Sequence, residues 1–193
     1  RFEHGWTDGD GPAGQNHVNG FGIGGLFERG TFDFSIDEPG FAKSWWTQAI
    51  SETNIRVGFG NGTITNILGW REYRGRSHSD IDALPVFAFH AFASNNQYQW
   101  SNELRYAGTF DAGSWGTLDV TTGLYYFQQE VDYVELRLLA GGALIAPGGG
   151  QIEHDSWGVF ANFDLHATDR LTVSFGGRYS WEDKTARIQS LLP

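Results

Sequence analysis

The sequence contains no cysteine and no methionine, and only 5 of its 193 residues are proline. Without cysteine there are no disulfides, no thiolate chemistry and no zinc ribbon. A cysteine-free chain suits an oxidising compartment without naming one. With no methionine the natural start is missing, so the chain is expected to be processed or a fragment. Basic charge is also scarce: 13 Lys and Arg stand against 23 Asp and Glu, a net charge of −10. That balance argues against a nucleic-acid partner, which would need a basic stripe. No run approaches the roughly 18 consecutive apolar residues of a membrane helix, and no signal peptide is recognisable. A membrane barrel stays open, because its strands give a much weaker hydropathy signal.

What is abundant is glycine, 27 residues, and aromatic side chains, 16%. Glycine falls in nearly every window and costs about 1 kcal/mol at each helix-interior position, so helical periodicity is poor. Period-two alternation is good. Residues 48–60 put Thr53, Ile55, Val57 and Phe59 on one face, against Asn54, Arg56 and Gly58. Residues 63–75 set Ile64, Leu68 and Trp70 against Thr63, Thr65 and Arg71. Residues 97–110 set Tyr98, Trp100, Leu104, Tyr106 and Phe110 against Gln99, Ser101, Glu103 and Arg105. Leu118, Val120, Leu124 and Tyr126 share a face within 116–130. Trp157, Val159, Ala161, Phe163 and Leu165 oppose Asn162, Asp164 and His166. The stretch LTVSFGGRYSWEDK then alternates Leu171, Val173, Phe175, Gly177, Tyr179 and Trp181 with Thr172, Ser174, Gly176, Arg178, Ser180 and Glu182.

The connections alternate in length. Gly60-Asn61-Gly62, Ala112-Gly113-Ser114 and Thr168-Asp169 predict tight turns. Residues 7–45, 76–96 and 131–155 read as long loops, with Gly148–Gly150 and the glycine-rich run at 20–25 as loop material. Short turns on one side and long loops on the other are the layout of an outer-membrane barrel. Trp100, Tyr126, Trp157 and Trp181 each lie about ten to twelve residues from the nearest short turn, a climb of about 25 Å for tilted strands. Phe59 and Phe110 sit at the turn end. Two aromatic belts one membrane thickness apart are what interfacial anchoring requires. The expected fold is therefore all-β: an antiparallel up-and-down transmembrane wall with its greasy face toward outer-membrane lipid.

The segments GNGTITNILGWREY, SNELRYAGTFD, TTGLYYFQQE and WGVFANFDLHATDRLTVSFGGRYSWEDK resemble successive strands of TonB-dependent outer-membrane receptors, in the style of sphingomonad-like and caulobacter-like proteobacteria. The resemblance implies a barrel of about 22 strands around an N-terminal plug, preceded by a box that touches TonB. Neither plug nor box is recognisable in residues 1–193, and the chain does not end in an aromatic-closed strand. Six full strands, with part of another at 1–6, cannot close even an eight-stranded barrel. The whole chain is thus expected to be a middle section of a larger wall. The remainder of the barrel and plug, the TonB-ExbB-ExbD system and an extracellular solute would be its partners. A ferric siderophore is the expected solute, with sugars, vitamin B12 and aromatic compounds as alternatives. Iron would arrive inside the ligand, so no protein cofactor is expected. A structural or interaction subunit of a larger complex, or a passive porin, are the rival readings.

Parity puts Arg56, Arg71, Glu103, Arg105, Asp164, His166, Arg178 and Glu182 on the expected lumen face, toward solute or plug. Trp6, Phe87, Phe89, His90 and Phe92, with Trp45 and Trp46, mark the long loops and their margins, where aromatic rings could stack on a solute or pack on one another. No metal site is expected: Asp8-Gly-Asp10-Gly and Asp80-Ile-Asp82 do not continue into a calcium loop, and the histidines lack helical zinc spacing. Gly20–Gly25 lacks the following helix of a dinucleotide fingerprint. No nucleophile elbow is present, so an enzyme is not expected.

Overall fold

The structure, a computed structural model, describes residues 1–16 and 34–190; the glycine-rich run at 20–25 lies outside them. Seven strands follow one another: β1 (Phe2–Gly9), β2 (Phe41–Val57), β3 (Gly62–Asp80), β4 (Phe89–Asp111), β5 (Thr117–Leu139), β6 (Leu144–Thr168) and β7 (Leu171–Ser190). They form one antiparallel meander in sequence order, with β1 and β7 at its two edges. The sheet is open.

The strands are longer than the alternation alone predicts. β4 has 23 residues and β6 has 25. A 23-residue strand tilted by about 40° climbs roughly 55–60 Å, about twice the apolar band of a membrane barrel. Two expected loops are corrected. Residues 131–155 form a continuous hairpin with a tight turn at Ala140–Gly142, and the loop in 76–96 shrinks to 81–88. Alternation runs on through Val131, Tyr133, Glu135 and Arg137, but with charged residues on both faces it carries no amphipathic signal. Gly148–Gly150 is strand, opposite Val134 and its neighbours. Pro147 stands opposite Leu136 of β5.

The short connections meet at one end. The Tyr106 hydroxyl donates to the Phe59 carbonyl at 2.8 Å, and Phe59 lies edge-on to Phe110 at 4.9 Å. Gly60 and Asn61 both adopt positive φ, the conformation a tight hairpin requires. The long connections meet at the other end, where Asn16 donates to the Asp82 carbonyl and the Asp37 amide to the Asp80 carboxylate.

Among the described residues no second layer covers this sheet. Among the described residues Ala83 and Leu84 are the buried hydrophobics, while Phe175 is 74% exposed and Tyr179 68%. The register gathers the greasy side chains on one face: Leu165 opposes Val173, Phe163 Phe175, Val159 Tyr179 and Leu124 Val159. A single apolar sheet face of this size has no place in water.

The aromatic residues draw a sloping line across that face. Trp181, Trp157 and Tyr126 are in register. Tyr126 opposes Asn102, and the next aromatic, Trp100, lies two residues further from the turns; it opposes Trp70. Trp70 opposes Ala49, and Trp45, opposite Trp6, lies four residues further. A climb of about 20 Å along the strands over about 29 Å across them is a tilt of roughly 35°, within the range of transmembrane barrels. Beyond the line the same face turns charged, with Glu130 opposite Glu153 and Asp155 opposite Asp183. The Tyr126 hydroxyl points that way, donating to Asp155 at 2.8 Å.

Turn glycines differ in what they tolerate. At Gly116 φ is +98° and an added Cβ would meet the His166 carbonyl oxygen at 2.0 Å, whereas at Gly113, φ +63°, the space is open. Gly116→Ala should cost about 2–3 kcal/mol or more, and Gly113→Ala about 1. Urea unfolding of the two variants side by side measures the difference.

Candidate functional site

The face opposite the greasy one is polar, and the register assigns to it all eight residues expected there by parity. Glu103 is on the same rung as Ile67, Arg105 as Thr65 and Arg56 as Thr63. Asp164 pairs with Ser174, His166 with Thr172, Arg178 with Phe160 and Glu182 with Ser156. They do not converge on one point. His166 joins Asp119 and Thr172 at 3.0 Å each, and Thr109 donates to Asp119, so a polar chain ties β4 to β7 near the turns. Asp164 accepts from Asn162 at 2.7 Å. Glu182 pairs with Lys184 at 2.7 Å and lies 3.6 Å from His154. Arg105 pairs with Glu103 at 3.7 Å. Arg178 donates to Ser180 and lies over the Tyr125 ring. Arg56 and Arg71 are exposed and have no ion-pair partner among the described residues.

A second feature of the polar face was not legible from the sequence. Where Gly150 opposes Tyr133 and Gly148 opposes Glu135, the missing side chains leave a concavity of about 540 Å³, with Arg137 and Ile188 on its rim. Arg137 grips Glu135 through two bonds of 2.7 and 2.9 Å, and Tyr133 donates to the same carboxylate. The guanidinium holds the Glu135 carboxyl below its ordinary range. The signal available was Gly148-Gly149-Gly150 facing an aromatic and an ion pair, once the segment is recognised as strand.

Of the aromatic candidates, Phe87 lies in the 81–88 connection and Phe89, His90 and Phe92 lie at its β4 margin. Trp6 is a strand residue of β1, opposite Trp45 on the greasy face, at the end of the sloping aromatic line. His90 is buried, 7% exposed, and pairs with Asp37 at 3.0 Å. Phe92 stacks on His78 at 3.9 Å and Phe87 on His90 at 4.2 Å. His90 and Phe92 share the register face of Trp100, not that of Arg105. Phe89 begins β4 opposite Leu139, and its amide donates to Asp82. Phe87, His90, His78 and Phe92 therefore pack on one another. Trp100, Tyr126, Trp157 and Trp181 all lie on the greasy face.

The acidic residues nearby have structural partners. Asp8 pairs with Lys43 at 3.1 Å. Asp80 accepts from the Ala83 amide and Asp82 from the Leu84 amide, closing the β3–β4 loop. Burial raises the Asp80 carboxyl above its ordinary range. Asp37, Asp80 and His90 bring their ligand atoms within 4.8 Å of one another.

No curated protein matches the chain. A family model described as "TonB dependent receptor-like, beta-barrel" matches residues 2–189. That match agrees with an open all-β meander bearing a greasy face and a polar face. The chain belongs to the TonB-dependent receptor β-barrel family, transporters of the bacterial outer membrane driven through TonB and not enzymes.

Proposed function

We propose that these strands are a section of the wall of a receptor that imports a large, scarce solute, a ferric siderophore before a sugar, vitamin B12 or an aromatic compound. In this reading the polar face borders a wet interior holding a plug, and TonB-ExbB-ExbD acts through a segment ahead of the barrel. The observation that carries it is a set of guanidinium groups on the polar face that make no ion pair among the described residues. Arg56, Arg71 and Arg178 have no carboxylate partner among the described residues. Guanidinium groups left in a roomy polar lining suit anionic, oxygen-rich solutes. The glycine-floored concavity with Tyr133, Glu135 and Arg137 lies further out on the same face, where a solute would be met first.

Uptake by cells producing the complete receptor tests this. Radiolabelled ferric siderophores should accumulate only when TonB is present, and Arg137→Ala should raise the apparent KM about tenfold, equivalent to about 1.4 kcal/mol. TonB-independent leakage of small solutes would favour the porin. TonB-dependent uptake of cobalamin or oligosaccharide, with no iron complex taken up, would replace the siderophore.

The facing assignment has its own check. Val173→Arg should cost roughly 2–4 kcal/mol of folding free energy in lipid vesicles, and Ser174→Arg much less, because the second residue meets water or plug. Equal losses would reject the assignment.

A further inference from the structure

Three segments remote in sequence meet beyond the membrane end of β3 and β4. Asp37 comes from the connection after β1, Asp80 ends β3 and His90 opens β4. One ligand atom from each lies within 4.8 Å of the other two, and His90 Nε2 is 3.0 Å from Asp37 Oδ1. Two of the three are buried: Asp80 is 5% exposed and His90 7%.

Four carboxylates gather here, Asp37, Glu38, Asp80 and Asp82, and the ion pairs they make are with histidines alone among the described residues. A buried carboxylate such as Asp80 without a full positive partner is costly, and a bound cation offsets that cost. The carboxylates are also held in place. The Asp37 amide donates to Asp80 Oδ2 at 3.1 Å and the Ala83 amide to Asp80 Oδ1 at 2.8 Å. Each oxygen keeps a further lone pair, and outer-shell bonds of this kind orient a ligating carboxylate. The His90 ring is clamped between Phe87, at 4.2 Å, and His78, at 5.4 Å. His78 contributes a separate observation. It is 9% exposed, its Nδ1 lies 3.9 Å from Glu38, and its Nε2 is buried with no hydrogen-bond partner.

We propose that Asp37, Asp80 and His90 form a binding site for a divalent transition-metal ion of the zinc class. One imidazole and two carboxylates suit Zn²⁺ or Co²⁺, whose ligand bonds are about 2.0–2.2 Å, with a fourth position left open. Calcium needs six to eight oxygens, and the two carboxylates of this triad offer four at most. His90 would bind through the Nε2 lone pair with its proton on Nδ1, replacing the present His90–Asp37 contact. The ion would join the 34–40 segment to both strands of the hairpin. The site lies on the register face of Trp100, away from the polar lining, so it does not depend on which solute is imported.

The test is titration of the complete, refolded receptor in detergent with Co²⁺, read by visible absorption, and with Zn²⁺ by calorimetry. One equivalent should bind. Asp37→Asn and His90→Gln should each weaken binding by at least about 10- to 100-fold, the loss that even an outer-shell change causes. Asp8→Asn, remote from the cluster, should leave binding unchanged. Far-UV circular dichroism verifies that each variant is folded. If His90→Gln does not fold, Asp37→Asn, which preserves shape and a hydrogen bond to His90, decides the matter alone. Absence of stoichiometric binding, or binding indifferent to Asp37→Asn, would overturn the site. Ca²⁺ bound in preference to Zn²⁺ would overturn the zinc class.

Discussion

Every backbone amide and carbonyl inside hydrocarbon must find its partner within the protein. The rest of this structure follows from that requirement. It selects strands bonded on both sides and favours long, uninterrupted registers such as the 23 rungs between β4 and β5, from Phe89↔Leu139 to Asp111↔Thr117. It leaves no need for a second protein layer, because lipid takes the place that a helix or a facing sheet has in a soluble domain. The exposed Phe175, Tyr179 and Leu124 are thus no defect in packing. Among the described residues β1 and β7 are the two edges, whose outer backbone groups have no strand beside them.

The membrane-spanning part was legible because its two faces differ in chemistry. Leu171 to Trp181 can be sorted by parity alone, and one mistaken step would put Arg178 in lipid. The part outside the membrane was not legible, for the same reason. Along Val131–Arg137 and Gly148–Ile152 both faces meet water, so alternation loses its contrast and a hairpin reads as a loop. β1 shows a different failure. The partial strand expected at 1–6 stops short because Thr7, Asp8 and Asp10 look like loop chemistry, and the pairing with β2 carries it on to Gly9. The meeting of Asp37, Asp80 and His90 has no local sequence signature, since it requires the register of β3 with β4 and the return of the 34–40 segment.

Both ends of the sheet use positive-φ turns, and the far end adds side-chain chemistry to them. At the short-turn end the work is backbone geometry: left-handed Gly60, Asn61, Gly113 and Gly116, with Phe59 and Phe110 packed beside them. At the far end the positive-φ turn at Ala140–Gly142 and Ala83 are joined by side-chain chemistry. Asp80 and Asp82 accept the loop amides, while His78, His90, Phe87 and Phe92 stack into a compact tip. A tip held by acceptors and stacked rings is also where charge gathers and where selectivity for an ion can arise.

The sloping aromatic line means that a hydrogen-bonded rung followed around the wall does not stay at one depth. It spirals, gaining roughly one residue per strand, so a rung and the waterline cross only once. A two-residue insertion in a middle strand would therefore keep every side chain on its proper face and still displace all later strands vertically by about 5 Å. Length changes in such a wall must come in compensating pairs within one hairpin, or be absorbed beyond the aromatic line. The extended β3–β6 hairpins offer that room, and variation in length can accumulate there without moving the seam.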